Sequence, residues 1–301
     1  MIITKISLLF SRLAGIAKKL EDLQESIGRI EKRQLEQAAS CELNAHEFKV
    51  FSQNGEDGII QFLVRKIEIP KKIFVEFGVH DYTESNTRFL MKNDYWSGLV
   101  IDGSEANIRR IKSDELYWRH NLKAECAFIN LDNINKLIES NGIAADIGLL
   151  SVDIDGNDYW VWEAIDCISP RIVVCEYNSL FGPTRKVTSI YSESFVASKA
   201  HYSGLYWGAS IAAFDHLAKA KGYSLVGSNR MGNNLFFVRN DVIGDLKTCT
   251  PEEAYVKSQF RISRNEAGNL TYLNFEQGRE LIADMPLYDI ENDRNIKVRE
   301  I

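Results

Sequence analysis

The chain lacks most of the signatures that assign a protein at a glance. Its five cysteines (Cys41, Cys126, Cys167, Cys175 and Cys249) form no C-x-x-C pair, which argues against a disulfide framework or a zinc site and fits reduced thiols in a cytoplasmic setting. Basic residues are in the minority, 36 Lys and Arg against 42 Asp and Glu, for a net charge of −6. No nucleic-acid partner is expected from such a balance. The opening MIITKISLLFSRLAGIAKKL is broken by Lys5, Ser11 and Arg12 and lacks a small-residue cleavage site. Neither a signal peptide nor a transmembrane span is therefore expected. Also missing are G-x-G-x-x-G and G-x-x-x-x-G-K-[ST], the glycine-rich turns that seat a pyrophosphate or triphosphate against bare backbone.

What is present begins with a heptad repeat. Ile6, Leu13, Leu20 and Ile27 fall seven apart, as do Leu9, Ile16, Leu23 and Ile30 three positions on. Such an a/d seam over residues 6–30 predicts a coiled coil and self-association. The alternatives are an amphipathic helix lying on its own domain, or peripheral attachment to the inner face of a membrane through Ile2, Ile3, Leu8 and Phe10. The helix and its polar linker occupy residues 1–45.

Residues 46–240 alternate between apolar runs and helical patterns. SQNGEDG (52–58) leads into a helix starting near Gly55. Apolar runs ending at Glu76, Asp102, Asn130, Asp153 and Glu176 read as buried parallel strands, each followed by a helical pattern or a long connection. YSLVGSN and NLFFVRN, separated by a short turn, read as a hairpin. Together they predict an α/β, Rossmann-like, mostly parallel seven-stranded sheet with helices on both faces. Residues 241–301 are polar, and an irregular tail packed on the domain is expected there.

The stretch KKIFVEFGVHDYTESN (71–86) is the one the rest supports. Its apolar strand ends in Glu76 and Gly78, at the edge where open α/β sheets bind ligands. His80, Asp81, Tyr82 and Thr83 stand where a dinucleotide loop would need glycine, and Asp81 and Glu84 disfavour phosphate. What remains is a ligand that needs a tight turn and a ribose-binding acid but brings no phosphate. S-adenosylmethionine is such a ligand. Asp102, ending the second strand, is placed to accept from the ribose hydroxyls; Glu76 and the Gly78 turn would hold the amino-acid end; Asn130, after the third strand, could read the adenine edge. Taken singly, each is equally an exposed loop side chain.

With these residues in view, the chain resembles the class I methyltransferases and, within them, the FkbM-type group. The matching pieces are SQNGEDGII, VEFGVHDYTESNT, GLVIDGSEANI, GLLSVDIDGNDYW, PRIVVCEYN, YWGASIAAFDHLAKAKGYSLV and NNLFFV, in order over roughly residues 52–238. The resemblance implies S-adenosylmethionine-dependent O-methylation of a sugar, a glycan precursor or a secondary metabolite. It adds Gln53, His80, Asn86, Gly103 and Asp153 to the cofactor-binding candidates. One departure stands out, since a glycine is common in the family where this chain has Tyr82.

Methyl transfer to a neutral hydroxyl needs a positioned acceptor and a place for its proton. Asp153, Asp155 and His201 are the candidate catalytic groups. Asp153, Glu176 and Asn178 offer hard oxygen ligands at the ends of the fourth and fifth strands, a set suited to Mg²⁺. The competing reading of D-I-D-G-N-D is a structural turn, with Asp158 capping the next helix. Tyr202, Tyr206 and Trp207 could stack on a sugar face or pack beneath a lid. A catalytically inactive domain that uses its coiled coil to assemble with a glycan-biosynthesis enzyme is the reading from another class; a nicotinamide dehydrogenase is disfavoured by the missing glycines.

Overall fold

The computed structural model describes residues 2–37 and 40–301, with side chains described from residue 12 onward except residue 14. The five expected parallel strands form as β1 (Ile73–Phe77), β2 (Ser97–Asp102), β3 (Leu122–Cys126), β4 (Ala145–Val152) and β5 (Ile168–Glu176). A short strand, β6 (Val187–Ser189), precedes the hairpin of β7 (Tyr223–Ser228) and β8 (Asn234–Arg239). The main sheet runs β3-β2-β1-β4-β5-β8-β7, with only β8 and β7 antiparallel to their neighbours. This is the Rossmann-like methyltransferase fold.

The order reverses between β1 and β4, so the chain leaves these neighbours toward opposite faces and opens a crevice at their carboxyl ends. Alternation along β1 divides the core: Val75 and Phe77 join one apolar cluster, with Trp162 and Phe214, while Phe74 joins the other, with Ile59 and Phe62.

The helices are α1 (Ile2–Gln37), α2 (Glu56–Lys66), α3 (Arg88–Asp94), α4 (Glu105–Ser113), α5 (Glu115–Arg119), α6 (Ile134–Ser140), α7 (Asp158–Ala164), α8 (Ala197–Ala200) and α9 (Ile211–Ala220). Several start where local chemistry dictates. Gly55 stands at the N-cap of α2, Ser104 caps α4 by accepting from Asn107 N, and Ser210 caps α9 by accepting from Ala213 N. Residues 241–301 are more ordered than expected. They hold α10 (Pro251–Ala254), α11 (Phe275–Leu281), β9 (Pro286–Asp289) and β10 (Arg294–Lys297), and β9 pairs with β6 in a second, three-stranded sheet. Four-residue strands leave little periodic signal, and while β10 pairs with the adjacent β9, the other partner of β9, β6, lies about a hundred residues upstream.

Helix α1 lies on the domain by its polar side. Glu21 meets Arg88 at 2.7 Å and Lys92 at 2.6 Å, and Lys32 meets Asp94 at 2.7 Å. The seam faces away: Leu20 is 60% exposed, Leu23 59% and Ile27 58%. The helix thus rests on its own domain, as one alternative held, but does so without its apolar stripe. The side chains of Ile6 and Leu9 in that stripe, and those of Ile2, Ile3, Leu8 and Phe10, lie outside the described ones. Among the described residues no helix is long and apolar enough to cross a membrane.

Gly28 makes the close approach possible, since a Cβ there would sit 2.4 Å from Val50 Cγ2. Gly28→Leu is expected to detach the helix. Overpacking costs about 1–3 kcal/mol, more than the gain of about 1 kcal/mol in helix propensity. Amide exchange should show protection lost across residues 20–33 and kept in the sheet; an unchanged helix would refute the contact.

Candidate active site

The site is organised where the turn after β1 passes the end of its parallel neighbour β4. Gly78 takes φ +70°, and a Cβ on it would lie 1.6 Å from the Asp153 carbonyl oxygen. Only glycine permits this contact. Two further residues of the turn, His80 (φ 49°) and Tyr82 (φ 63°), also adopt the left-handed region, as does Asp155 (φ 55°) beyond β4. Such backbone is held only where the surroundings over-determine it.

Tyr82, where the FkbM-type resemblance would put a glycine, is fixed by its side chain. It is buried, its hydroxyl lies 2.8 Å from Thr87 Oγ1, and its carbonyl accepts from Arg88 Nη1 at 2.9 Å. The left-handed φ explains why glycine suits the position.

Glu76 locks this turn from below. Its carboxylate accepts from Asn86 N at 2.8 Å, from Thr87 N at 3.2 Å and from Thr87 Oγ1. Burial outweighs these bonds and pushes its carboxyl up to about 7. Asn86 in turn donates from Nδ2 to Ser151 Oγ at 3.1 Å, tying the turn to β4.

Asp102 accepts from His80 N at 2.8 Å, Ser104 N at 2.8 Å and Asn107 Nδ2 at 3.0 Å. A carboxylate offers about four acceptor positions, so about one is left for a ligand where the sequence suggested two.

The resulting cleft, ≈ 310 Å³, lies along the carboxyl ends of β1, β2, β4 and β5. Among the described residues six carboxylates line it, and no Lys or Arg does. The acidic groups are densest at Asp153, Asp155 and Glu176, whose ligand atoms lie within 4.8 Å of one another. Desolvation, then the neighbouring carboxylates Asp155, Asp158 and Glu76, push Asp153 well up; desolvation, then Asp153, does the same to Glu176. Glu176 Oε2 and, from the strand beside it, Asn234 Oδ1 are buried acceptors without a partner.

Of the predicted residues, Gln53, Glu76, Gly78, His80, Asn86, Asp102, Gly103, Asp153, Asp155 and Glu176 all reach this cleft. Three do not. Asn130 closes the turn before α6, its Oδ1 accepting from Asp132 N and Asn133 N, each at 3.0 Å. Asn178 is engaged by main chain, donating to Leu205 O at 3.0 Å and Trp207 O at 2.9 Å and accepting from Leu180 N. Asp155 takes the place expected for Asn178 in the cluster. His201 lies apart, its Nδ1 2.7 Å from Ser203 Oγ and its ring stacked on Tyr202.

Asp158 opens α7 and bonds back into the preceding turn, accepting from Ile154 N at 2.9 Å and Gly156 N at 2.8 Å. Sequence reasoning missed Phe128, half exposed at the mouth beside Gly103, and Asn234. An aromatic just past the end of β3 was the available signal for the first. The second needed the hairpin's placement beside β5.

No protein-family model matches the chain, and no curated protein matches it. Solved structures do. The N-terminal domain of EvdMO1 with SAH bound is 11% identical, over 62% of this chain and 80% of that one, with a TM-score of 0.39. An S-adenosylmethionine-dependent methyltransferase from Clostridium acetobutylicum ATCC 824 is 10% identical over 61% and 90%, with a TM-score of 0.39. The O-methyltransferase from Bacillus cereus in complex with SAH is 14% identical over 72% and 91%, again at 0.39. Likeness at this level concerns the chain trace alone.

Glu76 carries a pH signature. Its folded value lies above the ordinary one, so the folded chain holds the proton more tightly and stability declines as pH rises from about 4.5 to about 7. Glu76→Gln removes the charge. The gap in melting temperature between the two proteins should move in favour of the variant across that window and level off above it. A gap independent of pH would mean that Glu76 titrates like a solvated carboxylate.

Proposed function

We propose that the chain is an S-adenosylmethionine-dependent O-methyltransferase of the FkbM-type group, acting on a hydroxyl of a sugar or glycan precursor. One observation carries this reading: a strand-end crevice beneath a glycine turn, lined among the described residues by six carboxylates and no Lys or Arg. Such a site suits a cationic, phosphate-free nucleoside ligand and repels a dinucleotide. The orphan acceptors Glu176 Oε2 and Asn234 Oδ1 fit a ligand that brings donors or positive charge.

In this reading Asp102 accepts from a ribose hydroxyl, Gly103 and Phe128 border the base, and Glu76 keeps the Gly78 turn in place. Bound there, S-adenosylmethionine would supply an electrophilic methyl group to the acceptor oxygen and leave as the thioether with the electron pair of the broken C–S bond, and the part of this chain's residues would be to hold the two partners in line and give the hydroxyl proton a path to a carboxylate or water. The acidic floor of Asp153, Asp155 and Glu176 is where that proton would go. Calorimetry on the full chain tests the reading. S-adenosylmethionine should bind and NAD should not, and Asp102→Ala should weaken binding by about 1.5–3 kcal/mol with the fold intact. Unchanged affinity would remove Asp102 from the site. Binding without methyl transfer to any glycan acceptor would favour the inactive assembly domain.

A divalent cation such as Mg²⁺ is a second element of the proposal, favoured by the three converging carboxylates and the unpartnered Glu176 Oε2. Asp153, Asp155 and Glu176 would hold it, and it would acidify the acceptor hydroxyl. Mn²⁺ titration of the full chain, followed by electron paramagnetic resonance, should reveal one site that Glu176→Gln abolishes. Chelation should then stop methyl transfer and spare S-adenosylmethionine binding. Full activity in excess EDTA would dismiss the ion.

Self-association through residues 6–30 belongs to the same reading, supported by the outward-facing seam. Light scattering should give more than one subunit, and Leu20→Asp with Ile27→Asp should reduce the count without unfolding the domain. An unchanged count would reject the seam as the interface.

A further inference from the structure

A second cavity of ≈ 270 Å³ adjoins the first and shares Gln53, Asp155 and Glu176 with it. Its walls come from four parts of the chain that are distant in sequence: the continuation of β5 at Tyr177–Leu180, the loop at Leu205 and Trp207, the β7–β8 turn at Gly232 and Asn233, and the C-terminal segment from Ser258 to Gly278. The C-terminal segment, expected as an irregular tail packed on the domain, therefore walls a space that reaches Asp155 and Glu176.

The polar groups of these walls are mostly engaged with one another. The Asn178 amide is held by Leu205 O and Trp207 O, and Ser179 Oγ accepts from Ser258 N at 3.1 Å. Ser263 Oγ lies 2.8 Å from Thr271 Oγ1, and Asn274 Oδ1 caps α11 by accepting from Gln277 N at 2.9 Å. Arg261, the one cationic side chain among the described lining residues, donates from Nε and Nη2 to the Tyr272 carbonyl. Apolar surface from Leu180, Trp207, Phe260, Ile262, Leu273 and Phe275 makes up the rest.

We propose that this cavity is the acceptor site, and that it takes an uncharged, hydroxylated ring compound with one apolar face, directing a ring hydroxyl at Asp155 and Glu176. The inference rests on the methyltransferase reading above. The volume, near the low end of the ~300–1,000 Å³ typical of ligand pockets, fits a single ring with its substituents. An anionic acceptor would bring its charge against Asp155 and Glu176, with only the exposed Arg261 among the described lining residues to offset it, so phosphorylated or carboxylated sugars are disfavoured. A ring with one apolar face buries it against Trp207 and Phe275 and turns its hydroxyl edge to the acidic floor.

Saturation-transfer NMR on the full chain with S-adenosylhomocysteine present tests this. The probe is p-nitrophenyl 6-deoxy-α-L-mannopyranoside, and p-nitrophenyl β-D-glucuronide is the charged control. The deoxyhexoside protons should take up saturation and the glucuronide's should not. Phe275→Ala should weaken deoxyhexoside binding about tenfold through lost ring contact. Gly278→Leu, which fills the cavity from α11 where an added Cβ alone would lie 3.2 Å from Leu205 Cδ1, should abolish it. Circular dichroism and calorimetric affinity for S-adenosylhomocysteine should stay at the wild-type level in both variants. Deoxyhexoside signal unaffected by either substitution, equal signal from the glucuronide, or signal from neither glycoside would overturn the acceptor site. Loss of S-adenosylhomocysteine binding in the wild type, with the deoxyhexoside still responding to both substitutions, would sink the cofactor reading and leave the cavity assignment standing.

Discussion

The contact between the Gly78 backbone and the Asp153 carbonyl sets the geometry on which the site depends. Because nothing larger than hydrogen fits there, the ends of β1 and β4 come together at the point where strand order reverses. The turn that follows must then travel through left-handed backbone at His80 and Tyr82. That path is unfavourable for side-chain-bearing residues, and it is held by the buried carboxylate of Glu76 below and by Asp102 at its flank. A cleft with an acidic lining is the consequence, since two of the carboxylates that line it are also the groups that hold its rim.

The carboxylates divide into two kinds. Asp57 accepts from Val50 N, Phe51 N and Ser52 N within 2.8 Å, and Glu56 accepts from Asn54 N, Gly55 N, Asn229 and Asn234. With Glu76 and Asp158 they hold loops in place, so the SQNGEDG stretch contributes chiefly structure, although Gln53 reaches both cavities. Asp155 and Glu176 are different. They stand where the two cavities meet and keep unsatisfied acceptor capacity at Glu176. Buried acceptors without donors are costly in an apo site, and a positively charged ligand or an ion relieves that cost.

Helix α1 connects to the same turn. Arg88 bonds the Tyr82 carbonyl with one nitrogen and Glu21 with another, over the face of the Phe51 ring at 5.0 Å. A buried guanidinium needs that partner, which is why a helix with an apolar stripe sits on the domain by its charged edge. The stripe is thereby left for another surface.

Local pattern alone determined the sheet's class, its run of parallel strands and the hairpin, because buried parallel strands and amphipathic helices are written in residues a few positions apart; the order in which the strands lie side by side came only with the tertiary structure. It also placed Glu76, Gly78, Asp102, Asp153 and Glu176 at strand ends, where side chains must emerge into the crevice. Tertiary structure decided the rest. Asn130, Asn178 and Asp155 are all loop residues of similar chemistry; which of them is engaged by main chain and which faces the cleft depends on how the Leu205–Trp207 loop and the turn before α6 pack. The second cavity was invisible for the same reason. Its walls come together only when residues 258–278 fold back on β5, and contacts between segments about eighty residues apart leave no periodicity in the sequence to read.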